Sequence, residues 1–251
     1  MRWIRQLAVV WLAAPMLAAA QAQAAPPAAA PMTGTMPASP APVVPAPATP
    51  EVTPRFQVLI DAAHGGTDTG AHLTPTLEEK TLTLALSNEL RSMLAARGMA
   101  VTTTRTQDVN LSPDERAEIA DRTPFAACIV LHATATGSGV HLYTSSLPAA
   151  PAAEFMPWQS AQSAYVTDSM KLSSDIDSAL AHAAIPITLG RTALEPIDSF
   201  ECPAVAVEVA PLQGGSTTKS EPITDEAYQQ KILNALAAAL VEWQKDWRQQ
   251  P

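Results

Sequence analysis

Four side chains are placed to do chemistry: His64, Glu79, His132 and Glu208. His64 follows an apolar run, Phe56 to Ile60, that stops at Asp61; Gly65, Gly66, Asp68 and Gly70 come directly after it. This reads as a first buried strand opening into a glycine-bent loop at its carboxyl end, where polar chemistry collects in α/β folds. Gly65 and Gly66 permit positive φ and close backbone approach. His132 ends a second apolar run, Ala126 to Leu131. Glu208 lies inside a third, PAVAVEVAP from Pro203 to Pro211. A lone carboxylate in such a strand is costly unless it is paired or faces a cation. His64, Glu79 and His132 supply two imidazoles and a carboxylate, a set that suits a catalytic zinc with a fourth position left for water. Glu208 would stand beside that water as the acid–base group.

Each residue also has a plainer reading. His64 fits an exposed turn, and His132 a hydrogen-bonded core histidine. Glu208 fits an edge strand with its carboxylate in water. Thr76 and Glu79 are spaced as a capping box, with Glu79 at the third helical position. A side chain bound to metal could not also be an ideal cap. The spacing of the four is too wide for a local motif, so composition alone leaves these readings open.

The elements that must position them follow from apolar periodicity. After the first strand, a helix runs to about Ala96, with Leu82, Leu86, Leu90 and Leu94 as its stripe and Gly98 as its stop. Met99 to Thr104 is a second strand, followed by Arg105 and Asp108. Ser112-Pro113-Asp114-Glu115 opens the next helix, which carries Arg116. Surface charge is the default for Arg105 and Arg116, and salt bridges that hold the loops are the alternative. Gly139 to Tyr143 is another strand. Trp158 to about Ala184 reads as helix, with a break near Ser173 and a solvent-facing His182; Pro186 to Ser199 has no clear assignment. Asp225 to Trp247 is a final helix with Ile232, Leu233, Leu236 and Leu240 inward. Strands interspersed with helices predict a single α/β domain: about five or six strands in a mostly parallel or mixed sheet, with helices on both faces.

The chain has 251 residues, but the folded domain is expected only from Arg55 to Pro251. Met1 to Ala24 has Arg2 and Arg5, then an apolar run and small-x-small sites, which is the pattern of a signal peptide. The run is short for a membrane span. Residues 25–54 are almost only Ala, Pro, Thr, Met, Val and Ser and read as an extended tether. The net charge of −9 becomes −11 once Arg2 and Arg5 leave, which argues against nucleic acid as a partner. Cys128 and Cys202 are the only cysteines. Export would let them pair, and two buried free thiols are the alternative.

Here the sequence resembles the zinc-dependent N-acetylmuramoyl-L-alanine amidases of the type-3 catalytic domain. That family opens on D-P-G-H-G-G-x-D-x-G-A, and this chain has Asp61-Ala62-Ala63-His64-Gly65-Gly66-Thr67-Asp68-Thr69-Gly70-Ala71. The family's E-K matches Glu79-Lys80. Its T-R-x-x-D matches Thr104 to Asp108; its L-x-x-R falls on Leu111 to Asp114, where Asp114 stands for the arginine and Arg116 fills that place. Its S-x-H-x-N matches Val130 to Thr134, and its P-A-V-L-V-E matches Pro203 to Glu208. Ala62 and Ala63 stand for Pro-Gly, Val130 for Ser, Thr134 for Asn, and Ala210 to Gly214 for the usual G-F-x-S-N. The resemblance spans about Phe56 to Leu240.

The resemblance implies one zinc per chain, held by His64, Glu79 and His132, with Glu208 as the catalytic glutamate. Asp61 is expected to support a ligand imidazole, and a backbone N–H near Gly65 to receive the oxyanion. The implied reaction is hydrolysis of the amide between N-acetylmuramic acid and L-alanine in peptidoglycan. The implied setting is the periplasm or cell envelope, for a monomer without a membrane span after processing, and with an activator protein as a candidate partner. In relatives, the segment from Leu147 to Gly190 is either a short connection or a helix that occludes the site. The alternative function is an inactive peptidoglycan-binding or regulatory protein of the same fold, usually marked by loss of a ligand; no ligand is lost here. A zinc peptidase or other deacylase is a smaller third reading.

Overall fold

The computed structural model describes residues 56–152, 157–215 and 219–247. The expected signal peptide and tether lie outside these residues. The elements in chain order are β1 (Gln57–Ala62), β2 (His72–Thr74), β3 (Leu77–Glu78), α1 (Glu79–Ala95), β4 (Ala100–Thr103), α2 (Pro113–Asp121), β5 (Ala127–Ala133) and β6 (Val140–Ser145). A 3-10 segment (Trp158–Ala164), α3 (Val166–His182), β7 (Ile187–Thr192), a short 3-10 turn (Ile197–Ser199), β8 (Ala204–Val209) and α4 (Glu226–Trp247) complete them.

Six strands form one sheet in the order β4-β1-β5-β8-β6-β7, and β2 pairs with β3 in a small ribbon. β4, β1, β5 and β8 run parallel; β6 is antiparallel to β8, and β7 parallel to β6. The sheet is therefore mixed and mostly parallel. The inner strands are apolar on both faces because both faces are covered. On one face Val58, Ile60, Ile129, Leu131, Val205 and Val207 pack with α1, α3 and α4. On the other, Leu59, Val130 and Ala206 pack with Ala117 and Ala120 of α2 and with Phe125, Ile197 and Phe200.

One expectation is corrected and two open points are settled. The break in the long helix falls at Tyr165, not Ser173, where the 3-10 segment gives way to α3. The unassigned stretch after Pro186 holds edge strand β7. Cys128 and Cys202 form a disulfide, both fully buried, tying β5 to the segment that enters β8. Ser112 caps α2 with the expected box: its hydroxyl accepts the Glu115 N–H, and the Glu115 carboxylate accepts the Ser112 N–H.

Candidate metal centre and its neighbouring carboxylate

The parallel strands β1, β5 and β8 deliver their carboxyl ends to the same edge of the sheet. The Ala63 N–H donates to Leu131 O (3.1 Å), extending the β1–β5 pairing to the point where His64 turns off. His64 has φ +62, and Gly65 and Gly66 follow at φ +138 and +60. A Cβ on Gly65 would lie 2.3 Å from Val109 O, and one on Gly66 2.3 Å from Asn110 Oδ1. Only glycines let the segment 105–110 close against this loop. The closure is fastened by Asp108, which accepts the Gly66 N–H (2.7 Å) and pairs with Lys80 (3.0 Å).

Glu79 enters as the first residue of α1. The helix has Glu78 as its N-cap, without a side-chain cap bond. The capping box expected of Thr76 is thus not formed: Thr76 lies in the turn between β2 and β3, and the Glu79 carboxylate points to the site. Its Oε1 lies 2.9 Å from His132 Nδ1 and accepts the Ala133 N–H (3.0 Å). Its Oε2 lies 3.2 Å from His64 Nε2 and accepts the Ala71 N–H (2.9 Å). The His64 and His132 rings meet edge to face, centroids 5.4 Å apart. Donor atoms of His64, Glu79 and His132 all lie within 4.8 Å of one another, a cluster able to hold a metal ion. Two imidazole nitrogens and a carboxylate oxygen fit zinc chemistry.

The hydrogen bonds favour a negative charge on Glu79. Burial alone would push the Glu79 carboxyl up. The bonds from His132, His64 and the two backbone N–H groups outweigh burial and hold it well below the usual range. His64 is raised, chiefly by its bond to Glu79 and against the pull of burial, with help from Asp68.

Asp61 does not orient an imidazole. It is buried on the α2 side, where it accepts from Thr104 Oγ1 and pairs with Arg116. Asp68 does that work instead, with Oδ2 2.8 Å from His64 Nδ1. Arg105 and Arg116 are not surface charges: both are buried and lock the loop backbone. Arg105 donates to the carbonyls of Ala62 and Ala63, and Arg116 to those of Ala62 and His64. Within the loop expected to offer an oxyanion donor, the N–H of Gly65 itself is taken by Asp68 O (2.8 Å).

Glu208 sits beside this cluster. In register it is the β8 partner of His132, so the two share a sheet face. β8 is an inner strand, which removes the edge-strand reading, yet the Glu208 side chain is 28% exposed at the strand end. On its other flank is His141 of β6, whose Nδ1 lies 2.6 Å from Glu208 Oε2. His141 was missed in the sequence. The signal was the alternation Val140-His141-Leu142-Tyr143, which puts His141 and Tyr143 on the polar side of a strand. The direction of β6 decides the rest: being antiparallel, it brings its first residues to the edge where its neighbours end. Tyr143, edge-on to His141 at 6.5 Å, has its phenol raised by burial and then by the charge on Glu208.

The segment 147–190 builds the 3-10 segment, α3 and most of β7. Among its described residues none bonds to His64, Glu79, His132 or Glu208, and α3 packs into the core on the face opposite the site. His182 is exposed, as expected.

The family model for N-acetylmuramoyl-L-alanine amidase matches residues 58–242. The chain belongs to that family. No curated protein sequence matches it significantly. Among solved structures, the catalytic domain of the amidase CwlV from Bacillus (Paenibacillus) polymyxa var. colistinus is 22% identical, with TM-score 0.58. The match covers 76% of this chain and 98% of that one. The N-acetylmuramoyl-L-alanine amidase of Clostridium difficile 630 is 20% identical, TM-score 0.59, over 77% and 98%. The CwlD amidase of Clostridioides difficile, solved in complex with the GerS lipoprotein, is 20% identical, TM-score 0.59, over 76% and 100%. At these identities the structures establish the fold. This amidase has a histidine–glutamate–histidine cluster at the sheet edge, and among its described residues no helix is long and apolar enough to cross a membrane.

Proposed function

We propose that this amidase binds one zinc through His64, Glu79 and His132 and uses Glu208 as the proton carrier in cleaving the amide between N-acetylmuramic acid and L-alanine. The observation that carries this reading is the pairing of His132 with Glu208 across β5 and β8, which sets a half-buried carboxylate beside the cluster. A zinc held there supplies Lewis-acid polarisation and acidifies water that it binds. Glu208 accepts the proton of the attacking water. It then returns that proton to the alanine nitrogen, because an amine leaves poorly as an anion. One carboxylate serves both steps because they occur in sequence. His64 is kept in place by Asp68, and His132 by its strand and by Glu79.

The proposal includes export: residues 1–24 are removed and residues 25–54 tether a monomeric domain in the periplasm or envelope. It also includes an accessory protein as an activating partner; the CwlD amidase in complex with the GerS lipoprotein is a precedent for a bound second protein.

The deciding experiment compares wild type with Glu208→Gln on purified peptidoglycan, with and without a chelator. Mass spectrometry follows the soluble products. Stem peptides beginning with L-alanine are expected from wild type only. The rate loss in the variant is expected at about 10²–10⁴-fold, the usual share of general acid–base catalysis. Disaccharide-peptides would show cleavage of the glycan, and peptides beginning elsewhere in the stem a peptidase. No product from folded, zinc-loaded protein would favour a wall-binding role.

A further inference from the structure

His141 belongs to neither the expected site nor the metal cluster, yet it shares a side-chain hydrogen bond with Glu208, Nδ1 to Oε2 at 2.6 Å. An ionised carboxylate only accepts, so a base-ready Glu208 requires the proton on Nδ1 of His141. The ring is boxed in. It is 15% exposed, with Tyr143 edge-on at 6.5 Å. On another side it lies against Gly137: a Cβ there would fall 2.5 Å from His141 Cε1 and 2.7 Å from Nε2. Gly137 also has φ +88, so the turn before β6 combines a left-handed residue with space for the imidazole. Among the described residues no hydrogen bond engages Glu208 Oε1.

We propose that His141 is a positioning residue for Glu208, holding one carboxylate oxygen through Nδ1–H so that the other is presented to the reacting amide. This rests on the reading of Glu208 as proton carrier. A carboxylate on a two-bond stem has several rotamers, and a carrier that must take a proton on one side and release it on another gains rate from being held in one. The histidine does this from the strand opposite to His132. Glu208 is thereby gripped from β6 and left open toward β5.

The test uses zinc-loaded full-length protein and three variants. His141→Ala removes the donor. His141→Asn puts an amide N–H where Nδ1–H stood. Glu208→Ala removes the acceptor. For His141→Ala, kcat on peptidoglycan is expected to fall about 10–100-fold, as for other groups that orient a reactive side chain, with KM and zinc content unchanged. His141→Asn should recover most of kcat. Nitrogen NMR of the imidazoles gives a readout without turnover: wild type should show His141 protonated on Nδ1, and Glu208→Ala should shift it to Nε2–H. Wild-type kcat in His141→Ala, an equal loss in His141→Asn, or an Nε2–H tautomer in wild type would each overturn the proposal. If His141→Ala does not fold, the Asn variant and the tautomer still decide. A wild type without amidase turnover would sink the functional reading, while the tautomer would still report whether His141 holds the carboxylate.

Discussion

Glu79 and His132 stand 53 residues apart in sequence and share a 2.9 Å contact, and the same Glu79 oxygen accepts the backbone N–H next to that histidine. One carboxylate therefore joins the start of α1 to the end of β5. Removing it should do two things. Glu79→Ala should abolish zinc binding, measured by elemental analysis. It should also cost about 2–4 kcal/mol in chelator-treated protein, since two backbone donors lose their acceptor. His64→Ala and His132→Ala should lose zinc with a smaller stability cost. Urea unfolding of the three variants with chelator present checks the order; equal costs would mean that Glu79 has no structural share.

The Arg116–Asp61 pair, 55 residues apart and buried, supports the loop that carries His64. Arg116→Met should destabilise by about 3–5 kcal/mol, because it strands a buried carboxylate. Adding Asp61→Asn should recover part of that loss. A double variant no better than the single would show that the arginine matters through its bonds to the Ala62 and His64 carbonyls rather than through charge.

Apolar periodicity made the frame legible. Leu82, Leu86, Leu90 and Leu94 mark α1, and the runs at Phe56, Ala126 and Pro203 mark the central strands. The metal cluster was legible because its residues lie at strand ends or a helix start and match a family pattern. What escaped depends on contacts distant in sequence. Asp61 is near His64 in the chain, but strand alternation aims it toward Arg116. An arginine looks like surface charge until the carbonyls that receive it are assembled. Thr76 and Glu79 satisfy the local capping pattern, but Glu79 has stronger partners in His132 and two backbone N–H groups. His141 could be reached only by knowing that β6 runs antiparallel.

The disulfide should matter for stability more than for the site. Cys128 and Cys202 are 74 residues apart and fully buried. The chain-entropy model gives about 4 kcal/mol for a loop of this length. Replacing both cysteines with alanine should lower the urea midpoint accordingly while leaving zinc content intact. Reductant should act slowly on the native wild type, because the sulfurs are reached only when the strands open. Rapid reduction under native conditions, or an unchanged midpoint in the variant, would contradict this.

Tyr228 gives the alkaline limit. It is 3% exposed, and its hydroxyl donates to Ala210 O (3.0 Å) and Gly139 O (3.3 Å). Gly139 leads into β6 and its His141, and Ala210 follows the strand that carries Glu208, so α4 ties the backbone beside His141 to the backbone that follows Glu208. Burial pushes the phenol up to about 12. An unfolded tyrosine ionises near 10. Above about pH 10 the unfolded chain therefore loses this proton while the native state keeps it, and the balance shifts toward unfolding. The contribution is fully present below about pH 10 and is lost as pH climbs toward about 12. Tyr228→Phe should be less stable at pH 8 by about 1 kcal/mol, the worth of a typical hydrogen bond. Its stability should also fall less steeply above pH 10. The raised Tyr143 and Tyr165 leave some alkaline slope in the variant. Urea unfolding of both proteins at pH 8, 10 and 11 measures the difference; parallel curves across that range would show that Tyr228 does not set it.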